Sequence, residues 1–173
     1  MFQADASDFL RLSRAIAKLP HEIRAKAANR ALRRIEAMAK TRVARRSAER
    51  IKAPVGKVKQ RIGSGRLSAD ALEFKVRSEW LRLIDLGARQ TAQGVTVRGR
   101  GSYRSAFIAS MRSRGVFMRE GKARGPVNEL FGPNPANDMN NHPDVFAAVL
   151  EDLIASHLLP RVLHEIEYLL PSR

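Results

Sequence analysis

A phosphate-binding loop would be sought first at Gly115–Ala123, GVFMREGKA, where a glycine stands beside a lysine. Such a loop needs G-x-x-x-x-G-K followed by Ser or Thr, so that backbone amides cradle the phosphates and a hydroxyl reaches magnesium. Here the spacer between Gly115 and Gly121 is one residue too long, and Ala123 has no hydroxyl, which excludes it. Gly99 and Gly101 begin a G-x-G, but Arg104 stands where a dinucleotide fingerprint requires its third glycine. The four histidines, His21, His142, His157 and His164, lack metal-ligand spacing, and Pro160 interrupts the stretch between the last two. Asp144, Glu151 and Asp152 fall early on a helical pattern, where the dipole favours negative charge, and no base or nucleophile is paired with them. There is no G-x-S-x-G elbow. There is no cysteine, which removes thiol nucleophiles, thiolate zinc sites and disulfides together. A magnesium-dependent nuclease would need clustered carboxylates, and these are sparse through most of the chain. The expectation is a protein that is not an enzyme and has no cofactor or metal.

The remaining chemistry is cationic. Residues 1–66 carry 18 Lys/Arg against 5 Asp/Glu (+13), residues 67–125 carry 12 against 5 (+7), and residues 126–173 carry 2 against 7 (−5), which gives the net +15. A basic body favours a polyanion such as nucleic acid, and the acidic end could meet the basic face of a neighbouring copy. The candidate DNA-facing residues are Arg42, Arg45, Arg46, Lys57, Lys59, Arg61, Arg98, Arg100 and Arg104. With one Trp, two Tyr and seven Phe, most of the Phe at core-like positions, stacking platforms for single strands are scarce. Scattered Lys and Arg suit sequence-independent contact with phosphate. No apolar run approaches the roughly 20 residues of a membrane span, and the N-terminus lacks a signal-peptide pattern.

The elements that must position these charges follow from periodicity. The length of 173 residues suits one domain. Residues 2–4 read as a short strand, and Ser7 as the cap of a first helix carrying Phe9, Leu12, Ile16 and Leu19 up to Pro20. Residues 21–51 read as one long helix with Ala28, Leu32, Ile35, Ala39 and Val43 as its apolar stripe. Pro54 starts a short helix carrying Val55, Val58 and Ile62, and GSGR at 63–66 reads as a turn. Leu72, Phe74 and Val76 alternate with charged residues as a half-buried strand, and Leu81, Leu83 and Ile84 suggest a second that ends near Gly87. A third enters near residue 95, and the last two centre on Phe107 and Phe117. Loops are expected near 88–104 and 132–142. Pro143 opens a closing helix with Phe146, Val149, Leu150, Leu153, Ile154 and His157 at helical spacing, kinked or split at Pro160. The expected class is α+β: a long N-terminal helix and a C-terminal helix packed on a small antiparallel sheet.

GVFMREGKARGPVNELFGP, residues 115–133, reads as a strand followed by an anchored basic loop. Val116, Phe117, Val127, Leu130 and Phe131 are expected to pin it to the core. Its candidate subunit- or partner-docking residues are Phe117, Arg119, Lys122, Arg124, Leu130 and Phe131.

The longer stretch SAFIASMRSRGVFMREGKARGPVNELFGP resembles the signature region of the minor tail protein Z family of tailed phages and prophages. The likeness extends upstream to AANRALRRIEAMAKTRVAR and IKAPVGKVKQRI and downstream to the closing helix. It implies a structural virion protein acting in tail completion at the head–tail joint, assembled in the host cytoplasm, in a ring around the DNA channel. Implied partners are further copies of itself, six by the symmetry of the tail or twelve by that of the head connector. Neighbouring head-closure, tail-terminator or tail-tube proteins and packaged double-stranded DNA complete the set, with no membrane contact. No catalytic residues come with the resemblance. The other reading of the charge is a sequence-independent DNA-binding accessory protein of a mobile element.

Overall fold

The computed structural model describes residues 16–66, 72–110, 113–121 and 125–170. In chain order these form α1 (His21–Arg50), α2 (Val55–Lys59), β1 (Ile62–Arg66), β2 (Leu72–Val76) and a 3-10 turn (Leu83–Leu86). The meander β3 (Ala88–Thr91), β4 (Gly94–Val97), β5 (Gly101–Arg104) follows, then β6 (Phe107–Ser110), β7 (Arg114–Arg119) and β8 (Val127–Glu129). Two helices close the chain, α3 (Pro135–Asn141) and α4 (Pro143–Leu169). The class is α+β, as the periodicity predicts. Three small antiparallel sheets, β1–β2, β3–β4–β5 and β6–β7–β8, replace the single sheet expected.

The 30 residues of α1 make a rod of about 45 Å. Its buried side is mostly alanine: Ala27, Ala31, Ala39, Ala44 and Ala48, with Ile35, Val43 and Ser47. Toward the N-terminus the buried line falls on Ala27 and Ala31, one residue before the expected Ala28 and Leu32, which are half-buried. Small side chains let α4 lie close against this line. The two helices run antiparallel, since Arg30 meets Glu165 and Arg42 meets Asp152. Leu153, fully buried, packs on Ile35 and Ala39 at mid-length. Phe146 sits further along with Val43, Ala44 and Ala48. That end joins the main core, where Val58, Ile62, Leu81, Leu83, Val95, Val97 and Val116 meet. The Asp138 carboxylate ties α3 to the end of α1. It accepts from Ser47 Oγ at 2.9 Å and from Arg50 Nε at 3.0 Å.

Several local expectations change. GSGR lies within β1, paired to β2 in the register Ile62↔Val76, and Ile62 opens that strand instead of closing the short helix. The second strand expected from Leu81 to near Gly87 is a single bridge, Arg82↔Phe131, running into the 3-10 turn. The buried side chains there are Leu81, Leu83 and Leu86, a spacing that leaves strand alternation after two residues. The span 88–104 is a paired meander. Its tight approach depends on Gly94, at φ 149, where a Cβ would lie 2.1 Å from the Tyr103 carbonyl oxygen. Strand β8 was not expected; it pairs Phe117↔Glu129 along the edge of β7. In the proline- and asparagine-rich span 132–142, Asn134 caps α3 by accepting from the Ala136 amide at 3.0 Å. A side-chain cap followed by proline starts a helix that composition alone reads as loop. Helix α4 runs unbroken through Pro160, which is exposed, with Leu153 and Ile166 buried on either side of it. The strand expected at 2–4 and the cap expected at Ser7 lie outside the described residues.

Candidate functional site

The nine candidate basic residues separate into tied and untied groups. Arg42 donates to Asp152 Oδ2 at 2.8 Å and lies 2.8 Å from His157 Nε2. Lys57 pairs with Asp85 at 2.8 Å, and Arg61 pairs with Glu79. The Arg100 guanidinium donates to the Ile51 carbonyl, holding the β4–β5 tip against the end of α1. Lys59 donates to Thr41 Oγ1 at 2.9 Å. Arg46 is 3.7 Å from Glu49, an exposed pair of small worth. Arg45, Arg98 and Arg104 are exposed and make no ion pair among the described residues. The nine are therefore not equally free, though several adjoin: Arg42, Arg45 and Arg46 wall one hollow, whose Glu49 also walls a second hollow with Arg98, and Lys59 reaches Thr41 beside Arg42. Arg42, Arg45 and Arg46 lie on α1, Lys57 and Lys59 on α2, Arg61 just past it, and Arg98, Arg100 and Arg104 on the β4–β5 hairpin.

The seam between α1 and α4 is the most developed surface feature. One of its edges is apolar, a hollow of about 260 Å³ walled by Leu32, Phe74, Leu150, Ile154 and Leu158. Another is cationic and consists of three adjoining hollows. The first, about 360 Å³, has Arg34, Met38, His157, Arg161 and His164 in its walls. The second, about 320 Å³, shares Arg34 and Met38 and adds Ala37, Thr41, Arg42 and Arg45. The third, about 600 Å³, shares Arg42 and Arg45 and ends at Arg46 and Glu49 against Val149 and Asp152. His157 and His164, which the sequence does not place on one face, thus wall the same hollow. Sequence reasoning missed Arg34 and Arg161 as members of this surface. A signal existed: Arg34, Met38, Arg42 and Arg45 recur at 4, 4 and 3 spacing, one residue before the apolar stripe Ile35, Ala39 and Val43.

The candidate docking residues also divide. Phe117 is 6% exposed and 6.2 Å ring to ring from Phe107, so its side chain is core and not a contact surface. Arg119 lies over the Phe107 ring at 5.4 Å. Leu130 is half-buried against the core. Phe131 does not pin the loop inward as expected: it is 48% exposed, because its bridge to Arg82 ends the strand at the surface. Trp80, two residues from Arg82, is also exposed. Lys122 and Arg124 lie outside the described residues.

The acidic end is partly consumed inside the chain. Glu129 binds Arg82 at 2.8 Å, Asp138 binds Arg50, Asp152 binds Arg42, and Glu165 binds Arg161 at 2.9 Å and Arg30 at 3.7 Å. Asp144, Glu151 and Glu167 are exposed without an ion pair among the described residues. No group of three or more His, Cys, Asp or Glu is placed to hold a metal ion among the described residues, and no described helix is long and apolar enough to cross a membrane.

No protein-family model, no curated protein and no solved structure matches the chain.

Proposed function

We propose that this chain is a structural virion protein of a tailed phage or prophage, a ring-forming tail-completion component at the head–tail joint that surrounds the DNA path. The observation that carries the reading is the resemblance of residues 105–133 to the minor tail protein Z signature, with the flanking segments in the same order. Most of the signature stretch lies on one structural unit, β6–β7–β8, whose edge bridges back to Arg82.

A ring of identical copies needs heterologous contact, in which one surface meets a different surface of the next copy. The separation of charge supports such a contact. Residues 88–104, the β3–β4–β5 meander, carry Arg89, Arg98, Arg100 and Arg104 and no carboxylate, whereas α4 carries five carboxylates and a single arginine. With Asp152 and Glu165 engaged inside the subunit, Asp144, Glu151 and Glu167 are the carboxylates of α4 left to meet a neighbour. Apolar Ile154, Leu159 and Tyr168 are exposed on the same helix and would add contact area. Six copies match a sixfold tail, giving about 116 kDa from 19.3 kDa per chain. Light scattering of the purified protein, with a search for the chain in mature particles, tests the reading. A protein that is strictly monomeric and missing from virions ends it.

The cationic hollows along α1 favour a second reading, a sequence-independent DNA-binding accessory protein of a mobile element. It predicts substantial duplex affinity by the lone subunit and absence of the chain from particles.

A further inference from the structure

We infer that the cationic furrow at the α1/α4 seam, and not the β4–β5 hairpin, is the surface this protein lays against the phosphate backbone of duplex DNA. The assignment rests on the reading of the chain as a protein around a DNA path.

Three features carry it. First, the hollows are continuous: Arg34 and Met38 belong to the first and second, and Arg42 and Arg45 to the second and third. The furrow therefore runs at least from Arg34 to Arg46 along one helix. That is about 18 Å at 1.5 Å per residue, or about five base pairs of duplex at 3.4 Å per step. Second, its charge has one sign where it is unsatisfied. The carboxylates in its walls, Asp152 and Glu49, already face Arg42 and Arg46. Arg34 and Arg45 are exposed and have no ion pair among the described residues. They stand 11 residues apart, three helical turns, and so project on the same side. Third, the walls between the cations are small or apolar, Ala37, Met38, Thr41 and Val149 among them. Backbone can approach closely there. No Phe, Tyr or Trp stands in the walls as a stacking platform, and no Asn or Gln is placed there to read a base edge. A row of cations without stacking platforms fits a line of phosphates on a duplex better than a single strand. On the hairpin, Arg100 is held by the Ile51 carbonyl, and the untied Arg98 and Arg104 are the groups that the ring reading sets against the carboxylates of the next copy.

The test compares the double variant R34Q/R45Q with R77Q/R114Q, which removes the same charge from exposed positions away from the furrow. Binding of a short mixed-sequence duplex is followed by fluorescence anisotropy from about 50 to 200 mM salt. Mass is measured by light scattering on the same samples. The furrow assignment predicts that R34Q/R45Q weakens binding about tenfold at low salt and lowers the slope of log affinity against log salt by about 2, while R77Q/R114Q changes neither by half as much. Equal loss in both variants, tighter binding of single strands than of duplex, or no duplex binding by the unaltered protein each overturns the assignment. An acidic protein bound through Arg34 and Arg45 in place of duplex does the same. Failure of the ring reading registers separately, as monomeric mass with R34Q/R45Q still selectively impaired.

Discussion

Asp138 shows how a single carboxylate can organise this molecule. Its side chain is 8% exposed, and its charge is shared by the fully buried Ser47 hydroxyl and the Arg50 guanidinium. Removing it leaves the buried Ser47 hydroxyl without its acceptor and the partly exposed Arg50 cation without its partner. The expected cost of Asp138→Ala is about 2 kcal/mol, since unsatisfied buried partners lose their full desolvation compensation. Urea unfolding should show a lower midpoint with an unchanged slope. An unchanged midpoint would mean that Ser47 and Arg50 have other acceptors. This pairing was not legible in the sequence, because Asp138 sits in an asparagine-rich run that reads as loop and its partners lie 88 and 91 residues away. The same holds for Arg42, Lys57 and Arg61. Composition reveals that they are cationic, but not that a carboxylate already faces each of them.

Among the elements, the α1/α4 pair is held by its alanine line. Ala44 is fully buried in the cluster that also holds Phe146 of α4, while Ala37 lies exposed on the same helix. Ala44→Leu is therefore expected to cost about 1–3 kcal/mol by overpacking. Ala37→Leu should stay within about 0.5 kcal/mol, as surface changes do. Thermal unfolding of both variants checks the contrast, and equal effects would contradict the close helix contact. Long periodic elements were legible in advance. Helix α1 matches its expected span to within a residue, β2 lies where alternation puts it, and β6 and β7 lie on the apolar runs around Phe107 and Phe117. The short elements were not. Helix α3 depends on one capping side chain, β8 on an edge supplied by β7, and the 3-10 turn on three leucines that must reach one core. Each of these is decided by tertiary contact, to which a single sequence is blind. Of the candidate sites, the cationic character of α1 was legible. Its union with Arg161, His157 and His164 was not, because they come from a helix more than a hundred residues away.

At the scale of the whole molecule, the account rests on one subunit presenting a cationic meander and an anionic helix to two different neighbours. Asp144 and Glu151 stand about two helical turns apart on one side of α4, so the double reversal D144K/E151K should place like charges across that contact and shift the assembly to monomers. R98E/R104E alone should do the same, and the four changes combined should restore assembly by exchanging the signs. Sedimentation at moderate salt reads the result. Restoration by the combined variant is the signature of direct complementarity, whereas continued dissociation would mean that these groups do not face each other. High salt should weaken the contact, since exposed pairs are screened within about 8–10 Å.

The central claim, a virion collar around DNA, is tested most directly by electron microscopy of phage particles decorated with an antibody against this chain. The account predicts label at the joint between head and tail on intact particles. Particles that carry no label there, with the chain recovered instead as free protein in the host lysate, would contradict it.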